Sequence, residues 1–190
     1  MNAQEALEIL KEGNSRFVAG TLNHPHTGNS RRLETSKAQH PFAVILSCAD
    51  SRVVPELTFD QGLGDLFVIR VAGNIAKDKV IGSIEYAIKY LGSKLVVVMG
   101  HEKCGAVTAS MGDEEPGGHI GAIIQKIKPA VYMARTMEGD LLENAIKMNA
   151  NIVAEELKDT KPYIYPAVRS ADVMVVSAYY ELSSGRVEFL

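Results

Sequence analysis

The sequence predicts an α/β fold in which a mainly parallel sheet is covered by helices on both faces. Short apolar runs rich in branched residues alternate along the chain with longer segments of helical periodicity, which is the pattern of strand–helix–strand units. The 190 residues are 46% hydrophobic and 23% charged, so the chain is long enough to bury one core. We therefore expect a single domain over residues 1–190, made of an N-terminal helix and arm (residues 1–39) and an α/β core (residues 40–190).

The first predicted element is an amphipathic helix over residues 3–19, with Asn2 as its N-terminal cap. Residues 20–39 are polar and contain few large apolar side chains, so we predict an extended arm there. The helix and the arm together have too little apolar surface for a core of their own. We therefore expect this N-terminal helical arm to pack on a partner subunit.

Four apolar runs predict the parallel strands of the core, and a fifth run behind a Ser-Ser-Gly turn predicts an antiparallel edge strand. These strands are expected at residues 42–47, 66–71, 95–99, 173–178 and 186–189. Helices are expected near Pro55 and at residues 79–91, 120–136 and 141–157, with a kink at Pro129. Because strands and helices alternate, right-handed crossovers should connect the parallel strands.

The charge and the apolar runs disfavour several classes of partner. The net charge is −3 and the pI is near 6.0, so neither a nucleic acid nor a membrane surface is expected as a partner. The N-terminus lacks the pattern of a secretory signal, and runs such as residues 95–99 are far shorter than the roughly 20 residues that cross a bilayer. Two cysteines are too few for a disulfide scaffold. We expect a cytoplasmic protein that acts on a small molecule.

Both cysteines follow predicted strands and stand among ionisable residues. The first strand leads into Ser-Cys-Ala-Asp-Ser-Arg at residues 47–52, and the third leads into Gly-His-Glu-Lys-Cys-Gly at residues 100–105. Ligands of open α/β sheets bind at the carboxyl ends of the strands where the strand order reverses, so Cys48, His101 and Cys104 are expected to meet. Two thiolates and one imidazole suit Zn²⁺ and leave its fourth position for water, as a catalytic zinc site requires.

Other interpretations of these residues stay open at this point. A buried cysteine is most often a small core residue, and a Cys48–Cys104 disulfide is also conceivable. Asp50 and Arg52 could form an ordinary ion pair at a turn. The spacing of the cysteines disfavours a thiol redox enzyme, because such enzymes usually have two nearby cysteines and here most of two βα units separate them. A nucleotide-binding loop is disfavoured, because Gly-Leu-Gly at residues 62–64 lacks a third glycine and precedes a strand.

The motifs Cys-x-Asp-x-Arg at residues 48–52 and His-x-x-Cys at residues 101–104 resemble the signatures of the beta-carbonic anhydrase family. The similarity extends over residues 39–107, including Gly-Asp-Leu-Phe-Val-Ile-Arg at residues 64–70 and Gly-Asn at residues 73–74. This resemblance implies an enzyme that reversibly hydrates carbon dioxide to bicarbonate and a proton.

The resemblance further implies one zinc ion per subunit, held by Cys48, His101 and Cys104. Asp50, paired with Arg52, is then the acceptor that orients zinc-bound hydroxide toward carbon dioxide. At low pH, Asp50 is expected to swing onto the metal as a fourth ligand and to close the site.

A substrate pocket shared between subunits is also implied by the resemblance. Gln39 is expected to supply a side-chain amide, and Gly105 a backbone N–H, to the substrate oxygens. Phe67, Ala72 and Tyr86 are expected to form an apolar wall. Since the glutamine and the wall come from a neighbouring subunit in the family, a homodimer is implied, or a homotetramer built from it, and a folded monomer should be inactive.

One departure from the family concerns regulation. In a branch that is inhibited by bicarbonate, a tryptophan stands three residues before the first cysteine, and here that position is Ile45. Arg70 and Tyr86 match the rest of that inhibitory pocket, but Ile45 offers no indole N–H. We therefore expect no bicarbonate inhibition.

Two other functions fit the same residues. The zinc site could hydrolyse carbonyl sulfide or carbon disulfide on the same scaffold. The metal could instead stabilise a non-catalytic dimerisation module, with Asp50 permanently completing its coordination sphere. The intact pair of Asp50 and Arg52 disfavours this last function.

Overall fold

A computed structural model describes residues 1–112 and 116–190, and it contains one sheet of five strands in the order β2-β1-β3-β4-β5. The first four strands in this order pair in parallel, and β5 pairs antiparallel with β4. The predicted fold class is therefore confirmed. The strands are β1 (Ala43–Ser47), β2 (Leu66–Arg70), β3 (Leu95–His101), β4 (Met174–Tyr180) and β5 (Val187–Phe189).

Eight α-helices are present in the described part of the chain, and five of them were expected from the sequence. The helices are α1 (Ala3–Ala19), α2 (Asn29–Thr35), α3 (Pro55–Thr58), α4 (Asp78–Leu91), α5 (Gly105–Ser110), α6 (Ile120–Ala134), α7 (Leu141–Lys158) and α8 (Ile164–Arg169). Sequence periodicity did not reveal α2, α5 and α8, because helices of six or seven residues are too short to show it. The helix α6 continues through Pro129. Among these helices, none combines the length and the apolar character that crossing a bilayer requires.

The strands β1 and β3 form the centre of the sheet because every one of their residues is buried. Their side chains alternate between two cores, so that Leu46 and Val98 face α4 and α7, whereas Ile45 and Val97 face α1 and Phe59. The chain leaves β1 toward β2 on one side and later returns to β3 on the other. The strand order therefore reverses between β1 and β3, and the expected binding position lies at their carboxyl ends.

The N-terminal helix α1 packs on the sheet of its own chain, and the expected packing of this helix on a partner subunit stays a prediction. Its buried residues Ala6 and Leu10 join the core that contains Ile45 and Val97. The Asn14 side chain, also buried, binds backbone atoms of the α3 and β5 segments. The sequence pattern identified the apolar stripe of α1 but not the bare sheet face that receives it.

Residues 20–39 were predicted to form an extended arm, but they contain the helix α2. The buried carboxylate of Asp60 binds the start of this arm. This carboxylate pairs with Arg16 at 2.6 Å and accepts hydrogen bonds from the backbone N–H groups of Asn23 and His24, each at 3.0 Å. Packing of residues 20–39 on a partner, and the boundary at residue 39, stay predictions.

We expect Leu10→Ala to lower the free energy of unfolding by about 3 kcal/mol, because the substitution leaves a cavity between α1 and the sheet. Urea denaturation at several protein concentrations measures this loss. Leu33→Ala is the matched control, because Leu33 is 66% exposed and its truncation should change stability by less than about 0.5 kcal/mol. A loss from Leu10→Ala that varied with protein concentration would instead indicate packing of α1 on a second subunit.

Asp60→Asn should lower the free energy of unfolding by about 2 kcal/mol at pH 7, because Arg16 and two N–H groups lose a charged acceptor. Burial alone would raise the pKa of Asp60, but these hydrogen bonds lower it overall. A carboxylate with a lowered pKa stabilises the fold above its unfolded pKa of about 4, and this stabilisation is lost as the pH falls through the lower folded pKa. The difference between wild type and variant should therefore shrink below about pH 4.

The control for Asp60→Asn is Asp172→Asn, which removes an exposed ion pair with Lys94. Its effect on urea denaturation should stay below about 1 kcal/mol. Equal stability of wild type and Asp60→Asn at pH 7 would show that the buried carboxylate does not secure the arm.

Candidate metal centre

Three side chains of the types that bind metals converge where β1 and β3 end. Cys48 follows β1, His101 is the last residue of β3, and Cys104 directly precedes α5. One ligand atom from each of the three lies within 4.8 Å of the other two, and all three residues are buried. The structure thus brings together the residues that the sequence predicted to meet.

The imidazole of His101 is oriented as a metal ligand would be. Its Nδ1 lies 2.9 Å from the backbone carbonyl oxygen of Glu102, which can only accept, so Nδ1 carries the proton. The Nε2 atom is buried and has no hydrogen-bond partner among residues 1–112 and 116–190. A buried lone pair without a partner is costly, and a cation bound between Nε2 and the two sulfur atoms would satisfy it.

The two sulfur atoms lie 4.0 Å apart. Two sulfur atoms bound to one tetrahedral zinc ion at about 2.3 Å each lie roughly 3.8 Å from one another, so the observed spacing fits this ion. The contact between the thiols lowers the pKa of Cys48 and raises that of Cys104, because one thiol donates to the thiolate of the other. The pair therefore already favours one thiolate, and a divalent cation would favour the second.

The carboxylate of Asp50 stands beside this cluster and is held by Arg52. The Arg52 guanidinium donates to both carboxylate oxygens at 2.9 and 2.8 Å, and the Arg52 backbone N–H donates to Oδ1 at 3.0 Å. These contacts hold the pKa of Asp50 well below its usual range. Its Oδ2 lies 3.9 Å from Nε2 of His101, so an ionised acceptor faces the three candidate ligands.

Arg70, at the end of the edge strand β2, secures the loop that carries Cys48 and Asp50. Its guanidinium donates to the Cys48 carbonyl at 3.3 Å and to the Asp50 carbonyl at 2.6 Å. Parallel pairing places Arg70 opposite Ser47, the residue before Cys48. From the sequence, Arg70 was expected only in an inhibitor pocket, whereas its contacts here hold the loop.

The remaining predicted site residues are Ala72, Gly105, Phe67, Tyr86 and Gln39, and they differ in position and exposure. Ala72 belongs to a short 3-10 turn behind Cys48, and Gly105 opens α5, where first-turn N–H groups lack intrahelical partners. Phe67 and Tyr86 form an aromatic pair with ring centroids 6.4 Å apart, beside the edge strand β2. Gln39 is exposed ahead of β1. Their roles in substrate binding stay predictions.

Unpaired polar groups in the described part of the chain concentrate around the candidate ligands. Three buried side-chain polar atoms lack a hydrogen-bond partner, namely Ser47 Oγ, Asn74 Nδ2 and His101 Nε2. Asn149 on α7, which the sequence pattern did not indicate as a site residue, reaches the same region and donates to the Gly73 carbonyl at 2.8 Å. Unpaired buried polar atoms are rare in folded proteins, because they reduce stability. Their position here therefore indicates a functional region.

Comparison with known proteins gives a consistent result across the chain. A family model described as carbonic anhydrase matches residues 43–187. A carbonic anhydrase of Mycolicibacterium smegmatis is 38% identical, with 98% of this chain and 93% of that protein aligned. Carbonic anhydrase 2 of Mycobacterium tuberculosis is 37% identical over 97% of this chain and 91% of its own length.

Solved structures agree with the fold. A structure described as the beta-carbonic anhydrase CcaA is 27% identical, with a TM-score of 0.75 over 97% of this chain and 98% of that one. A further match comes from structures of two beta-carbonic anhydrases of Sordaria macrospora, which are described as tetrameric. One chain of these structures is 23% identical to this chain, with a TM-score of 0.77. That chain aligns over 84% of this chain and 85% of its own length.

We expect Cys104→Ala to lose bound metal, because two remaining ligands hold zinc far more weakly than three. Metal analysis of the purified protein should give about one zinc ion per wild-type chain and close to none for the variant. His119→Ala, at an exposed histidine before α6, is the control and should keep its zinc. Full zinc occupancy in Cys104→Ala would show that the metal lies elsewhere.

Proposed function

The chain belongs to the beta-carbonic anhydrase family of enzymes, and from this membership we propose that it catalyses the reversible hydration of carbon dioxide to bicarbonate and a proton. The observation that carries the proposal is the meeting of Cys48, His101 and Cys104 beside the ionised carboxylate of Asp50. A metal-binding cluster alone would serve a structural ion equally well. The adjacent acceptor, held by Arg52, supports a reaction of water at this site.

We propose that Cys48, His101 and Cys104 hold one zinc ion per subunit. When bound by two thiolates and one imidazole with a fourth position open, zinc supplies the Lewis acidity that makes water a nucleophile near neutral pH. Hydrogen bonds within the protein hold two of these three proposed ligands in place. The Glu102 carbonyl fixes the ring of His101, and Arg70 fixes the backbone of the Cys48 loop.

The proposed role of Asp50 is to accept a hydrogen bond from the attacking water and so to aim its oxygen at carbon dioxide. The ion pair with Arg52 keeps Asp50 anionic, and an anionic carboxylate can only accept. Acceptance by Asp50 leaves an oxygen lone pair of the water directed away from the carboxylate, toward the substrate. In the observed arrangement both Asp50 oxygens are bound by Arg52, and movement of Asp50 onto the metal at low pH stays a prediction.

We further propose that the active enzyme is a homodimer, or a homotetramer built from dimers. The edge strand β2 is only half-buried, and beside it Tyr86 and Tyr90 are 48% and 66% exposed. An exposed aromatic surface next to an unpaired strand edge is typical of a protein interface. In this proposal Phe67, Ala72, Tyr86 and Gln39 complete the neighbouring subunit's pocket, with Gly105 N–H as a second donor to substrate.

The proposed setting is the cytoplasm, because both cysteines are free thiols and the proposed metal site needs them reduced. The proposed substrates are carbon dioxide and bicarbonate, which are small enough for a pocket between subunits.

The proposal is tested by stopped-flow measurement of carbon dioxide hydration, with zinc quantified in the same sample. Rapid hydration that is lost in Cys104→Ala supports it. A protein with stoichiometric zinc and no hydration would contradict it. Sulfide release from carbonyl sulfide or carbon disulfide would then identify the related hydrolase, and its absence would favour a structural metal.

Asp50→Asn should lower kcat roughly a hundredfold while zinc content stays at the wild-type value, because the neutral amide loses the charge that pairs with Arg52 and replaces one accepting oxygen with a donor. The same stopped-flow assay measures it. Asp172→Asn is the matched control, since it also breaks an aspartate ion pair but lies at the amino edge of the sheet, before β4. Unchanged kcat in Asp50→Asn would remove the carboxylate from the mechanism.

A further inference from the structure

The turn behind Cys48 supplies a hydrogen bond to the sulfur atom. Gly73 N–H donates to Cys48 Sγ at 3.3 Å. Gly73 and Asn74 both have positive φ, at 70° and 44°, so two consecutive residues adopt the left-handed conformation. Glycine leaves this conformation at little cost, so the direction of its N–H depends on what surrounds the turn.

Three helices approach the turn and hold it in place. The amide of Asn149, on α7, donates to the Gly73 carbonyl at 2.8 Å. Ile127 on α6 and Ala106 on α5 leave no room beside the glycine, since a Cβ at Gly73 would lie 2.5 Å from Ile127 Cδ1 and 3.2 Å from Ala106 Cβ. The position of Gly73 is therefore limited by α5, α6 and α7.

Packing does not explain an asparagine at position 149. Asn149 is 2% exposed, and the residues that share its face of α7 include Ala145, Ile146 and Val153, which are buried and apolar. An amide in such surroundings costs free energy unless it is hydrogen-bonded, and leucine has a similar shape without that cost. The hydrogen bond to the Gly73 carbonyl therefore accounts for an amide at this position.

We propose that Asn149 is a positioning residue of the metal centre, which acts through Gly73 to fix the N–H donor to the Cys48 sulfur. The inference rests on the proposed function in one respect, that Cys48 is a metal ligand. Hydrogen bonds to ligand atoms orient them and adjust their electron donation, and losing one typically costs 10- to 100-fold in metal affinity. Because Asn149 acts one peptide away, we expect about a tenfold loss.

The test compares wild type with Asn149→Leu and Asn149→Ala. Zinc affinity is measured by competition with a chromophoric chelator, and the sulfur-to-cobalt charge-transfer absorption is recorded on the Co²⁺-substituted proteins. Both variants should bind zinc about tenfold more weakly and shift the absorption band, because the sulfur loses a fixed donor. The alanine variant avoids any clash, so the test does not depend on how the leucine is accommodated.

Asn14→Leu is the matched control for a general loss of stability. Asn14 is also a buried helical asparagine, and it binds the backbone of Thr58, Gly185 and Val187 but none of the candidate ligands. This variant should lose stability to urea and keep the zinc affinity and cobalt spectrum of wild type. Wild-type affinity and spectrum in both Asn149 variants, or the same changes in Asn14→Leu, would overturn the proposal.

The outcomes for the two proposals are separable. A wild-type protein that binds zinc through cysteine but does not hydrate carbon dioxide contradicts the proposed function, while affinity and cobalt absorption still decide the role of Asn149. A wild-type protein whose cobalt form shows no sulfur-to-metal absorption contradicts both.

Discussion

The parallel pairing of β1 with β3 sets where every part of the candidate metal centre can lie. Ser47 is in register with Met99, so the chain leaves the two strands at neighbouring points of the same sheet edge. Cys48 extends beyond one strand and His101 ends the other. Because both strands are buried on both faces, neither can shift without exposing apolar residues. The stable pairing of these two strands therefore holds the candidate ligands at a constant spacing.

Around this edge the backbone accepts conformations that most of the chain avoids. Lys103, between His101 and Cys104, has a φ of 54°, and Asn74, beside the turn behind Cys48, has one of 44°. Residues held in such conformations cost free energy and persist only where surrounding contacts impose them. Hydrogen bonds engage the carbonyl of the residue before each of them, from His101 to Glu102 and from Asn149 to Gly73. The three buried side-chain polar atoms without a partner among the described residues lie at this same edge of the sheet.

The sequence predicted best those features that depend on local pattern. The continuous apolar runs of β1 and β3 and the unusual chemistry of the loops after them were enough to predict that Cys48, His101 and Cys104 would meet. Local pattern says less where the partner of a surface has to be known. The apolar stripe of α1 does not say which sheet face it covers, so its packing on its own chain required the structure. Asn149 was missed for the same reason, because an asparagine in a helix is usually at the surface and only the packing of α7 buries it.

The order of the parts along the chain bears on biosynthesis. All three candidate ligands lie within residues 48–104, so a ribosome has completed the candidate ligand set once residue 104 has been added. The helix α7, which carries Asn149, and the strand β4, which covers the open side of β3, emerge later. Since domains fold as units while the chain is synthesised from its N-terminus, a nascent chain can present the thiols before the surroundings that order them exist. A metal held by this cluster would therefore depend for its surroundings on α7 and β4, which contribute none of the three candidate ligands.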